Sequence, residues 1–350
     1  MFPPRILGFP LLVRGAPADK LTMNSGRTTL DAPKKYRLLT RSDFDGLVCA
    51  ILLKDLGILE SITFVHPKDV QDGKIEVNEN DILTNLPYVP GCHLCFDHHA
   101  SEAAVTRDLL RLNHVLIPHA DSAARVLYNW YGAEKAFPRI SDEMMQAVDK
   151  ADSARFTRAD VLNPQGWDLL SFIMDPRTGL GRFRQFQVSN YDLMMAMIDH
   201  CKEHSIQETL DLPDVRERIA LYREHEKPFA AQILRCTRVH GNLAVLDLRE
   251  EEVIHVGNRF MIYALFPECN ISMHVLWGLN KRKTTLAIGK SILNRTCETR
   301  VDELVSRYGG GGHEAAGTCQ IDNDSVAATI RDIIGRINAE AGAAQELVSV

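Results

Sequence analysis

The sequence predicts an α/β chain with three parts. These are a mostly parallel sheet covered by helices on both faces, a helical connector, and a second, smaller α+β unit. Three observations carry this. Short apolar runs alternate with helically spaced segments over residues 36–156. Residues 157–235 carry mainly helical spacing. From about Leu243 strand-like runs return. At roughly 150 residues per domain, the 350 residues of the chain accommodate two domains. The expected division is an extension without a fold over 1–35, a core over 36–156, a connector over 157–235 and a second unit over 236–345.

Tyr36–Thr40 (YRLLT) reads as a buried strand. Ser-Asp-Phe-Asp-Gly follows it, and Leu47–Leu56 then has helical spacing, giving a strand–loop–helix unit. Ile62–Val65, Asp81–Leu86 and His93–Phe96 read as further strands. Helices are expected at Glu102–Leu112, Ser122–Tyr131 and Asp142–Lys150, and in the connector at Tyr191–His200 and Val215–Leu234, punctuated by Pro213 and Pro228. In the second unit Leu243–Leu248, Phe260–Phe266, Ile271–Leu276, Thr284–Ile288 and Thr318–Ile321 read as strands. Val301–Tyr308 and Ser325–Ala339 read as helices.

Composition narrows the function. A formal charge of −6 gives no chain-wide basic field, so long duplex nucleic acid is not an expected partner. No apolar run reaches the ~18 residues of a membrane span. Met1–Val13 is apolar, but Pro3, Pro4 and Pro10 interrupt it and no small-residue cleavage site stands out, so it makes a poor signal peptide. Met23 offers an alternative start. Eight cysteines in a chain of this length read as reduced, buried thiols, which points to the cytoplasm.

Polar residues follow several of the expected parallel strands, at the sheet edge where open α/β folds bind ligands. Asp43 and Asp45 follow the first strand, Asn85 the third, and Asp97, His98 and His99 the fourth; Asp149 and Asp152 end a helix. Taken singly, an Asp-x-Asp-Gly is a turn or an N-cap, and paired histidines are more often solvated than ligating. Together they form a mixed oxygen and nitrogen donor set suited to Mn²⁺ or another divalent ion. Cys92 and Cys95, with His98 and His99, resemble half a zinc site, but the strand between them would hold Cys92 far from His98, so buried thiols are the expectation. Near the C-terminus, GGGGHEAAG (Gly309–Gly317) follows a helix. Its glycines suggest a backbone that approaches something closely, with N–H groups free to cradle an anion. Lys290, Ser291 and Arg295 lie after a strand of the second unit, where the two cations could complete a phosphate pocket.

In this order SDFDG, FDHH, DKADSARF and GGGGHEAAG resemble the DHH phosphoesterase superfamily, over roughly Tyr36 to Ile321. That superfamily includes RecJ exonucleases, nanoRNases and exopolyphosphatase-like proteins. The resemblance implies a Rossmann-like first domain, a DHH-associated second domain, and a substrate cleft between them. It also implies one or two Mn²⁺ (or Mg²⁺) ions that cleave a phosphoester. By motif position, Asp43, Asp45, Asn85, His98 and Asp152 become the metal ligands. His99 becomes a supporting or phosphate-contacting group, and Gly310, Gly311, Gly312 and His313, with Arg295, the grip on the substrate's phosphate end.

Two departures from the pattern fall on one side of the site. Arg41 stands where the family often has a ligand, and Asn85 where it has a bridging Asp. At ~4 Å and an effective dielectric of about 20, one unit charge is worth about 4 kcal/mol, enough to empty a weak ion site. Arg41 is then expected to replace the lost ion's charge in catalysis, alongside Asp43 and His99. The leading expectation is a metal-dependent phosphoesterase acting on a short oligonucleotide or dinucleotide. The alternatives are inorganic polyphosphate as substrate, a non-catalytic nucleotide binder with a degenerate site, and a plain scaffold. The connector could serve as a homodimer interface or a lid.

Overall fold

Five strands run parallel in one sheet: β1 (Tyr36–Thr40), β2 (Leu59–Phe64), β3 (Asp81–Thr84), β4 (Leu94–Asp97) and β5 (His114–Leu116). Their spatial order is β2-β1-β3-β4-β5, and every ladder is parallel. The computed structural model describes residues 34–99, 111–183 and 185–348, with side chains up to 341. The expected extension, but for Lys34 and Lys35, and the expected helix at Glu102–Leu112, but for its last two residues, lie outside the described residues.

Chain direction makes β1 the turning point of this sheet. The chain steps from β1 to β2 on one side and then to β3 on the other. Helix α1 (Phe44–Asp55) makes the first crossover, and every residue from Phe44 to Leu53 is buried. A helix apolar all round must be covered all round. A short helix α2 (Pro67–Gln71) follows β2. Helices α3 (Ala123–Trp130) and α4 (Asp142–Asp152) close over α1 and share its core.

The connector is helical, as expected: α5 (Arg158–Leu162), α6 (Gly166–Met174), α7 (Asn190–Glu203), α8 (Ile206–Leu210) and α9 (Pro213–Cys236). Pro213 opens α9 at its first turn, where no N–H is needed. Pro228 does not end the helix; it sits inside it.

A second sheet follows, built from β6 (Thr237–His240), β7 (Leu243–Asp247), β8 (Ile271–Trp277), β9 (Lys283–Lys290), β10 (Gly311–His313) and β11 (Ala316–Asp322), in the order β10-β11-β9-β8-β7-β6. Only β7 and β8 pair in parallel. Three helices belong to this part: α10 (Met261–Leu265), α11 (Val301–Ser306) and α12 (Val326–Val348). The strand expected at Phe260–Phe266 is α10. A short apolar run carries no period, and this one is buried on all sides, which suits a helix turn as well as a strand. The glycine segment expected as a loop is the edge strand β10, paired to β11. Among the described residues no helix is long and apolar enough to cross a membrane. All eight cysteines are free, and Cys92 and Cys95 are buried thiols.

Candidate active site

Sequence and sheet topology bring the acidic motif to the carboxyl edge of β1. Asp43 is the N-cap of α1, and its Oδ1 accepts from Gly46 N at 3.0 Å. Gly46 has to be glycine. A Cβ there would lie 2.0 Å from Arg41 O and 2.9 Å from Thr40 Oγ1. The turn is therefore wound tightly enough to aim two carboxylates from one helix start. Asp43 Oδ2 pairs with Arg41 Nε at 3.1 Å. Asp45 turns inward and is 2% exposed. Its two oxygens accept from Ala123 N at 3.0 Å and Ala124 N at 2.8 Å, so it anchors the start of α3.

Asp45, His98 and Asp152 converge. Each offers a donor atom, and these atoms lie within 4.8 Å of one another. His98 Nδ1 donates to Ala120 O at 3.1 Å, which turns Nε2 toward Asp152 Oδ2 at 2.8 Å. That contact is close but not aligned as a hydrogen bond, and Nε2 is buried with no hydrogen-bond partner. Asp97 folds back on its own motif. Its Oδ1 accepts from His98 N at 2.8 Å, His99 N at 3.3 Å and His99 Nδ1 at 2.7 Å. Its Oδ2 is buried and unpartnered, as is Oδ1 of Asn85, which follows β3 in the left-handed region at φ 54°. Asp149 lies outside the cluster, held by Ser122 Oγ at 2.8 Å and Arg125 Nε at 2.9 Å.

A cation fits these residues. Unpaired buried polar atoms cost free energy, and His98 Nε2, Asp97 Oδ2 and Asn85 Oδ1 are three such atoms in the motifs that supply the cluster. The charges tell the same story. Burial and the nearby Asp152 push the Asp45 carboxyl up to about 7. Burial opposes charge on His98, but Asp152 and Asp45 outweigh it and lift the imidazole to about 9. Burial would also raise Asp152, but its contact with His98 holds it below the usual carboxylate range.

This has a measurable consequence. In the metal-free chain His98 holds its proton to about 9, against 6.5 when unfolded. Its contribution to stability is complete below 6.5 and is lost as pH rises through about 9. Asp45, raised from 3.8 to about 7, acts with the same sign over its own lower window. A bound ion must displace these protons. Mn²⁺ affinity is expected to tighten by roughly 1,000-fold between pH 6 and 8, about 100-fold from the His98 proton and about tenfold from the Asp45 proton. Titration calorimetry at the two pH values reads this directly, and an affinity flat with pH contradicts it.

The cleft extends beyond the cluster. A pocket is lined by Asp43, Asp45 and Asp152 together with Asp175, Arg177 and Arg259. Asp175 Oδ1 accepts from Arg177 Nε at 2.7 Å, and its Oδ2 lies 3.3 Å from Arg259 Nε. The Arg259 guanidinium also stacks on the Phe260 ring at 4.1 Å. Burial and the adjacent Arg177 depress Arg259 to about 10, still charged at neutral pH. Sequence reasoning missed all three residues. Each stands alone in the connector or a loop, with no motif around it.

The glycine–histidine segment forms the edge of the second sheet, and its glycines serve packing. A Cβ at Gly310 would meet Thr318 O at 2.3 Å, and one at Gly312 would meet Ala316 O at 2.3 Å. Gly311 alone of the three has nothing within 4 Å. Burial, then the positive charges of His99 and Arg259, lower His313 from its usual range. Arg295 is committed elsewhere: its Nη2 donates to Ala154 O at 2.9 Å, tying the second part of the chain to the loop after Asp152.

Comparison with solved structures finds matches that cover most of this chain. A pGpG-specific phosphodiesterase, PggH from Vibrio cholerae, is 56% identical, with a TM-score of 0.76, covering 87% of this chain and 99% of that one. RecJ from Thermus thermophilus in complex with Mn²⁺ is 15% identical, with a TM-score of 0.43, covering 87% of this chain and 52% of that one. No family model matches. No curated protein matches.

Proposed function

Because the chain belongs to the DHH phosphoesterase superfamily and is a phosphoric ester hydrolase for a short phosphate substrate, we propose that it cleaves the dinucleotide pGpG, the compound named for its Vibrio relative. The observation that carries this reading is the pairing of two charge centres in one cleft. Asp45, His98 and Asp152 form one, and the Asp175-braced pair Arg177 and Arg259 the other. A 5′-phosphorylated dinucleotide carries two phosphates, and the two centres divide them. The scissile diester lies at the Asp/His cluster, and the terminal phosphate takes the free guanidinium N–H groups.

Asp45, His98 and Asp152 would hold the ion, Mn²⁺ or Mg²⁺. When bound it polarises the phosphoryl group and lowers the pKa of water. The remaining roles fall to the chain. Hydrolysis adds water across the P–O3′ bond. A new P–O bond forms, O3′ leaves with a proton, and two guanosine monophosphates result. His99 is opposed by burial but held charged to higher pH than usual by Asp97. With Nδ1 bound to Asp97, its Nε2–H is the donor left for a phosphoryl oxygen. His313 and Gly311, on the edge strand of the second sheet, grip the substrate's phosphate end. Phe44, Phe156 and Phe260 line the cleft and keep water out of its floor.

The test is product chromatography with pGpG and Mn²⁺. The expected result is two guanosine monophosphates per pGpG, abolished by chelation. Turnover of polyphosphate with pGpG left intact would overturn the reading.

A further inference from the structure

The two aspartates of the first motif are not equivalent. Asp45 keeps company with an unaligned imidazole and a second carboxylate, an arrangement that wants a cation. Asp43 is already satisfied. Oδ1 takes Gly46 N at 3.0 Å and Asn85 Nδ2 at 3.4 Å, and Oδ2 takes Arg41 Nε at 3.1 Å. The neighbour at position 85 brings no second negative charge; it is a neutral amide that points its donor end at Asp43. Arg177, from the connector, adds a second positive charge that acts on both Asp43 and Asp152. Asp45 also accepts on both oxygens, but from backbone N–H groups; the guanidinium ion-paired with Asp43 is what makes Asp43 the poorer ligand for a divalent ion. A second ion there would also meet the repulsion of Arg41.

We propose that the enzyme works with one divalent ion, on the Asp45–His98–Asp152 side, and that Arg41 supplies the positive charge on the Asp43 side that faces the scissile phosphate. This rests on the phosphodiester reading of the site, but not on the identity of the dinucleotide. A guanidinium differs from an ion in what it brings. It stabilises charge on phosphoryl oxygens through directed N–H donors. It remains in place when chelators remove the ion.

The experiment counts ions without substrate. Wild-type chain loaded with Mn²⁺, freed of excess ion and measured by native mass spectrometry, is expected to retain one ion per chain. Two ions per chain would overturn the proposal. The double variant Arg41→Gln, Asn85→Asp removes the charge and restores a carboxylate, and it is expected to retain two. A folded double variant that still retains one places the restriction elsewhere and overturns the role given to these residues. The arginine's part is read with bis(p-nitrophenyl) phosphate, a diester that does not depend on the dinucleotide assignment. Arg41→Gln is expected to lower kcat about 100-fold with one ion still bound, and Arg41→Lys to restore part of it. Unchanged kcat in Arg41→Gln would overturn it. A chain that holds one ion and cleaves this diester but not pGpG sinks the dinucleotide reading alone.

Discussion

Replacing Asp152 with Asn is expected to lower kcat/KM for phosphodiester hydrolysis about 1,000-fold, a loss of about 4 kcal/mol of transition-state stabilisation. The argument is electrostatic and local. Asp152 is one of the three groups whose donor atoms share a space, and its carboxylate raises both Asp45 and His98. The amide is nearly the same size, so packing at the end of α4 is kept, but the charge that draws a cation is gone. The variant is therefore expected to stay folded by circular dichroism, to bind Mn²⁺ weakly, and to be inactive at ion concentrations that saturate the wild type. Activity recovered at very high Mn²⁺ is consistent with this role. Full activity at ordinary Mn²⁺ contradicts it.

The second large effect falls on stability and function together. In Gly46→Ala the new carbon would sit 2.0 Å from a backbone oxygen, a separation no side-chain rotation relieves. The turn carrying Asp43 and Asp45 must open, at a cost of about 3 kcal/mol, the upper range for overpacking. Moving these two aspartates also breaks the convergence with His98, so activity and ion binding fall with it. Gly311→Ala provides the contrast. Nothing lies within 4 Å of its added carbon. Its unfolding midpoint in urea is expected to match wild type, within about 0.5 kcal/mol. Equal midpoints for the two variants would show that the turn is looser than the packing indicates.

Much of the site was legible because its residues come in motifs that end strands. An apolar run of five, then Ser-Asp-Phe-Asp-Gly, marks both a strand and its carboxyl edge, and the parallel sheet brings such edges side by side. The connector's helices were legible from spacing. What escaped has physical reasons. β5 has three residues and α10 is a uniformly apolar run, so neither carries a period. The glycine segment looked like an anion cradle because glycine frees N–H groups. In the fold, Gly310 and Gly312 answer instead to backbone oxygens of the paired strand β11. Arg177 and Arg259 could not be singled out among 40 lysines and arginines, because their role comes from tertiary placement around Asp175.

The proposition beneath all of this is that residues 45, 98 and 152, widely separated along the chain, act on a single cation. Diffraction from Mn²⁺-soaked crystals at the manganese absorption edge locates the ion directly. The account predicts one strong anomalous peak per chain, within coordination distance of Asp45, His98 and Asp152, and none between Arg41 and Asp43. A peak elsewhere, or no peak beside these three residues, would contradict it.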